Sequence, residues 1–238
     1  AYQSAYFHSS VTLTRILIFL KKQNPFDSFT LHTENKRINL LLGSMPIDTA
    51  ANDISCKKKD TAQNLKDLGI AAVWSLEESS EARPQHLIGL LTLDLLYISP
   101  VSSKRWQDLE ISYKQIPINE YTAPTTIQLL EAVNFIIANE GKKTYIHCHT
   151  GTNRTACITI AYLIIRHKIP FLQAYRLVKE ARPSIDLDNT QQKAIISLIQ
   201  EYWTYTGKKY NIHNLTSSAE LTRYGGWINW KDSDNSSY

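Results

Sequence analysis

The chain has 238 residues, 43% hydrophobic and 20% charged, with eight Gly and eight Pro. That composition excludes a collagen-like, low-complexity or disordered polypeptide and allows one sizeable core. A formal net charge of +4 suits an anionic ligand but is too weak for a nucleic-acid-binding surface, so nucleic acid is not expected as a partner.

Three cysteines, Cys56, Cys148 and Cys157, are too few and too irregularly spaced for a disulfide framework or a zinc site. No metal and no cofactor is expected, and a soluble protein of a reducing compartment such as the cytoplasm is the natural reading. The chain opens on Ala1, which leaves room for a targeting segment upstream. Val11 to Leu20 is apolar but short and carries Arg15, too little to span a bilayer. The basic runs Lys21-Lys22, Lys57-Lys58-Lys59, Lys142-Lys143 and Lys208-Lys209 read as solvated surface.

Residues 1–35 read as an N-terminal extension. Asn39 to Gly43 has the pattern of a buried strand entering the loop Ser44-Met45-Pro46. A helix is expected over Asp60 to Leu68, stopped by Gly69, followed by a strand over Ile70 to Leu76. The apolar run Leu87 to Ile98, interrupted by Gly89 and Asp94, fits a core hairpin, a helix, or an exposed patch meeting a membrane or partner, and is assigned to the core. Ile111 to Ile118 alternates as a strand. A helix follows Pro124, with Ile127, Leu130, Val133, Phe135 and Ile137 as its apolar face. Thr144 to His147 is the next strand, and Thr155 to Ile165 is apolar nearly all round, the pattern of a central buried helix. Helices over Phe171–Ala181 and Thr190–Tyr202 follow, and a tail over 206–238. Strands alternating with helices predict an α/β fold, a mostly parallel sheet flanked by helices.

Between the last strand and the buried helix lies His147-Cys148-His149-Thr150-Gly151-Thr152-Asn153-Arg154-Thr155. A free thiol with a pKa near about 8.5 is a poor nucleophile at neutral pH, and a helix N-terminus favours its thiolate. The stretch from His149 to Asn153 is long enough for the backbone N–H groups to curl around a phosphate, and Gly151 permits the bend. Arg154 closes the ring with a planar fork for two phosphate oxygens. Thr155 is expected to donate its hydroxyl to the Cys148 sulfur, and His147 to brace the loop from behind. His, Cys, Gly, Arg and Ser/Thr at these offsets arise by chance in roughly one chain in ten thousand.

This motif resembles the His-Cys-x-x-Gly-x-x-Arg-Ser/Thr signature of the dual-specificity branch of the protein tyrosine phosphatases. Asn39 to Pro46, the strand ending in Leu76-Glu77-Glu78, and Tyr121 to Thr125 are similar to mitochondrial-type phosphatidylglycerophosphate phosphatases. The resemblance covers residues 36 to about 202, and implies a catalytic domain over 36–205 with the dual-specificity fold. It implies a metal-independent phosphatase working through a cysteinyl-phosphate. The expected substrate is a phospholipid or inositol headgroup phosphate, or a phosphoprotein, with contact to a membrane surface as a further option. An RNA 5′-phosphatase and a catalytically weak phosphate-binding module remain as alternatives. Oligomeric state is not indicated.

Two features depart from the family pattern. Where relatives carry basic residues in the loop, this chain has His149, Thr150, Thr152 and Asn153, and fewer fixed positive charges argue against a multiply phosphorylated headgroup. Where relatives carry an Asp general acid, this chain has Asn119, with Glu120 beside it. Asn cannot act as an acid, so Glu120 takes over, or the chemistry proceeds without a strong acid on a good leaving group such as an aryl or pyrophosphate oxygen, or Glu77 or Glu78 supplies the proton. Gln191 or Gln192 is a candidate for orienting the hydrolytic water, with helix capping by Asp188 or Asn189 as the plainer role of that segment. Cys157 reads as core packing.

Overall fold

A computed structural model describes residues 26–33, 36–51, 60–78, 85–88, 95–120 and 122–206. Eight strands and six helices are present among them: β1 (Phe26–Thr33), β2 (Lys36–Ser44), β3 (Ile47–Ala51), α1 (Thr61–Asp67), β4 (Ile70–Ser75), β5 (Gln85–Ile88), β6 (Leu95–Pro100), α2 (Ser103–Asp108), β7 (Ser112–Gln115), α3 (Thr126–Ala138), β8 (Lys143–Cys148), α4 (Asn153–His167), α5 (Phe171–Ala181) and α6 (Asn189–Thr206). Tail residues 207–238, Cys56 and the run Val11 to Leu20 lie outside the described residues.

The main sheet has the order β1-β2-β8-β4-β7. From β2 to β7 every neighbouring pair is parallel, and β1 is an antiparallel edge. The expected mostly parallel α/β sheet is therefore present. Its edge strand draws on residues 26–33, which the sequence pattern leaves in the extension. Edge strands pair on one side only, so their patterning is weaker.

Neighbouring residues on one strand feed opposite layers, as a pleated backbone requires. Leu40, Leu42, Trp74 and Ile146 join α3, α4, α5 and α6 in one cluster. Leu41, Val73 and Tyr145 join Ala62 and Leu65 of α1 and Trp106 of α2 in a second cluster on the other face. Helix α4 is buried at every position from Arg154 to Ile165, as its all-round apolar sequence predicts.

Helix α1 has Asp60 as its N-cap, accepting from the Gln63 N–H at 2.9 Å, and Gly69 follows with φ +84°, so both sequence signals act as expected. Helix α3 corrects a reading. Its buried residues are Leu129, Ala132, Val133 and Ile136, whereas Ile127 is 70% and Leu130 36% exposed. The set spaced by three and four residues through Leu129, Ala132, Val133 and Ile136 faces the core.

Residues 85–88 and 95–100 pair antiparallel as β5 and β6, and β3 completes a three-stranded second sheet. The ends of the apolar run Leu87 to Ile98 thus belong to a hairpin, and residues 89–94 lie outside the described set. Among the described residues no helix is long and apolar enough to cross a membrane.

Candidate active site

Strand β8 delivers Cys148 to its own carboxyl end, where His147 is paired with Gly43 and with Ser75, and Cys148 with Ser44. Ligands of parallel sheets collect at this edge. Beyond it the backbone turns into α4, whose N-cap Thr152 makes no side-chain cap hydrogen bond. The first-turn N–H groups of a fifteen-residue helix are thus left for an anion.

Cys148 is 1% exposed, and its Sγ accepts a hydrogen bond from the Gly151 N–H at 3.1 Å. Gly151 has φ +70°. A Cβ there would stand 2.0 Å from the Gly43 carbonyl carbon and 2.1 Å from its oxygen. The glycine is required twice, by its left-handed backbone and by the approach of β2. The sequence pattern points to the bend but not to Gly43.

Arg154 is 4% exposed, and its Nη1 donates to the Ile118 carbonyl at 2.8 Å, with Leu76 O at 3.4 Å. These carbonyls aim the guanidinium and tie the loop to the segment that carries Asn119 and Glu120. His147 Nδ1 lies 2.8 Å from Glu77 Oε1, with both side chains buried, and its ring stacks on Tyr145 at 5.4 Å. The Tyr145 hydroxyl donates to Ser44 O at 2.5 Å, and burial pushes its pKa up. His147 and Glu77 thus lie together behind the loop, beneath Tyr145. Glu77, 3% exposed, faces the imidazole and is a poor candidate for the acid.

His149 is 1% exposed, and its carbonyl accepts from Met45 N–H at 3.3 Å. The hydroxyls of Thr150 and Thr152 bond each other at 2.8 Å. Asn153 Oδ1 accepts from Asp186 N–H at 3.0 Å, and Arg182 Nη2 donates to Thr150 O at 3.1 Å. The Thr155 hydroxyl donates to Thr152 O at 2.9 Å, the back-bond that a Thr in a first helical turn makes to the carbonyl three residues earlier.

Asn119 is exposed and its carbonyl accepts from the Thr122 N–H and hydroxyl. Glu120 is half-buried, with its N–H donating to Glu78 Oε1 at 2.8 Å, so Glu78 anchors the turn from below. Gln191 and Gln192 are both buried and locally engaged. Gln191 Oε1 accepts from Asp188 N–H at 3.2 Å, while Asp188 Oδ1 accepts from Thr190 and Gln191 N–H, a reciprocal helix cap. Gln192 Nε2 donates to Leu187 O at 2.8 Å. Partial burial works to raise the Asp188 pKa, but the bonds from Thr190 and Gln191 outweigh it, so the carboxyl sits below its usual range. Cys157 is fully buried, which pushes its thiol pKa up. Among the described residues no group of three or more His, Cys, Asp or Glu side chains could hold a metal ion.

A cysteine at the carboxyl end of a central parallel strand, a backbone turn into an open helix N-terminus, and a buried arginine in the first turn of that helix lie together at this edge of the sheet. The chain belongs to the family described as dual specificity phosphatase, catalytic domain, whose model matches residues 54–201. It is 33% identical over 110 residues to the phosphatidylglycerophosphate phosphatase PTPMT2 of Arabidopsis thaliana, covering 45% of this chain and 48% of that one. It is 29% identical over 131 residues to dual specificity protein phosphatase 2 of Mus musculus, covering 54% and 34%. The chain thus spans about half the length of the first relative and a third of the second. In fold it is similar to PTPMT1 crystallised in complex with PI(5)P (TM-score 0.56, 19% identity, 75% of this chain and 99% of that one). It is also similar to kinase associated phosphatase with a serine in place of its catalytic cysteine (TM-score 0.55, 17% identity, 79% and 99%).

Proposed function

We propose that this chain hydrolyses a phosphomonoester through a cysteinyl-phosphate on Cys148. The observation that carries the reading is the Gly151 N–H directed at Cys148 Sγ, under the open N-terminus of α4. The same donors that favour a thiolate surround the oxygens of a bound phosphoryl group. The sulfur attacks phosphorus as the ester P–O bond breaks, and Glu120 gives the leaving oxygen its proton. Water then attacks the thiophosphate, Glu120 takes a proton from it, and the P–S bond breaks to return the thiolate and inorganic phosphate. The Arg154 fork and the loop N–H groups hold the equatorial oxygens throughout.

The substrate is a phosphate on a lipid or inositol headgroup, or on a protein. Similarity to phosphatidylglycerophosphate phosphatases supports the lipid, and similarity to dual specificity protein phosphatases supports the protein. The lack of charge between Cys148 and Arg154 favours one phosphate group over several.

Release of phosphate from a small aryl phosphate tests the reaction. Cys148→Ser is expected to abolish turnover while the fold persists, because the serine hydroxyl is far too basic to ionise there. Turnover retained by the folded variant would remove the mechanism. Parallel release from phosphatidylglycerophosphate, singly phosphorylated inositides and phosphopeptides then ranks the substrates.

A further inference from the structure

The five residues between Cys148 and Arg154 include no Lys, Arg, Asp or Glu, and their peptide planes are held in part from outside the loop. At the plane joining Thr150 and Gly151 the structure shows both ends engaged. Its carbonyl accepts from Arg182 Nη2 at 3.1 Å, and its N–H donates to Cys148 Sγ at 3.1 Å. The described residues contain no cis peptide bond, and in a planar trans peptide the C=O and N–H point in opposite directions. Whatever fixes the carbonyl therefore aims the N–H.

Arg182 is well placed for that work. It caps the end of α5, its N–H bonded to Val178 O at 2.9 Å. Its side chain is buried, with the residue 8% exposed. Its other terminal nitrogen approaches Leu42 O, in the strand beside β8, at 3.5 Å. The guanidinium thus spans the sheet edge and the loop, which a single-pointed ammonium does less well. The need for such a hold comes from Gly151. A glycine at φ +70° has other wells at little cost, so the 150–151 plane can flip. A flipped plane turns the Thr150 carbonyl toward Cys148, replacing a donor with an acceptor that repels a thiolate or phosphate oxygen.

We propose that Arg182 is a positioning residue that acts through the 150–151 peptide to hold the Gly151 N–H on Cys148. The inference rests on Cys148 as the nucleophile, but its test does not need turnover. The readouts are iodoacetamide alkylation of Cys148 as a function of pH, the Gly151 amide proton shift by NMR, and aryl phosphate hydrolysis. In the parent, the Gly151 amide shift should change when Cys148→Ala removes the acceptor. In Arg182→Gln that change should shrink to a small fraction, and the midpoint of the alkylation profile should move up by about one pH unit or more. Loss of one preorganised donor should lower kcat by about 10²-fold.

Urea unfolding of each variant separates a fold defect from a positioning defect. Should Arg182→Gln fail to fold, Arg182→Lys carries the same readouts with smaller expected shifts. A folded variant with an unmoved alkylation profile and an unchanged Gly151 response would overturn the proposal, even if its stability were lower. If the parent releases no phosphate from any ester, the functional reading fails while the alkylation and NMR arms still decide the role of Arg182.

Discussion

Glu120 is where the proton balance of the proposed reaction is most exposed to test. The position before it, Asn119, cannot donate an acid proton, and Glu77 is committed to His147 at 2.8 Å. Glu120→Gln is expected to change hydrolysis of an activated aryl phosphate little, since that leaving oxygen departs unaided. On an alkyl phosphate the same change should slow turnover by about 10²–10⁴-fold. Equal losses on both substrates would clear Glu120 and move the search to Glu78. At this scale the sequence is most informative where chemistry fixes an offset. Cys148, Gly151 and Arg154 are readable because a nest of N–H groups allows few spacings. Arg182 with Thr150, and Glu77 with His147, are not readable that way. Each pair joins residues far apart in the chain, and only the tertiary fold brings them together.

Among the elements, β2 and the nucleophile loop meet at two glycines with no space between them. Gly151→Ala would need the Gly43 backbone to yield from 2.0 Å while holding a left-handed conformation costly for a Cβ-bearing residue. The expected result is a loss of more than about 2 kcal/mol in urea unfolding, and loss of activity in whatever remains folded. Parent-like stability and turnover would show that the loop can move off β2. Helix α3 shows why apolar periodicity alone assigns a face loosely. Two overlapping stripes are available in its sequence, one through Ile127 and Leu130 and one through Leu129, Ala132 and Ile136. The choice is made by the surface of α4, which the α3 sequence does not contain. Helix α4 has no such ambiguity, since every side of it is apolar.

For the whole molecule, the alternation of strands and helices predicts the parallel sheet and its layers, and β2, β4 and β8 fall where apolar runs say they should. The antiparallel edge β1 is missed because a strand with one partner needs no strong pattern. The second sheet is left open by Leu87 to Ile98, where an apolar run broken by Gly89 and Asp94 fits a hairpin and a helix alike.

The burial of α4 from Arg154 to Ile165 also sets the time scale on which the end proposed to bind phosphate can come apart. A hydrogen-bonded segment with no solvent-facing side has no local route to expose its amides, so those from Ala156 to Ile165 should exchange with solvent only when the entire domain opens. Native-state deuterium uptake should therefore give these amides one uniform opening free energy, equal to that from urea unfolding, while the open first turn exchanges sooner. Saturating inorganic phosphate should raise it by the amount that ligand linkage predicts. Faster uptake in α4 than in α3 or α5 would mean that the phosphate cradle opens as a unit of its own.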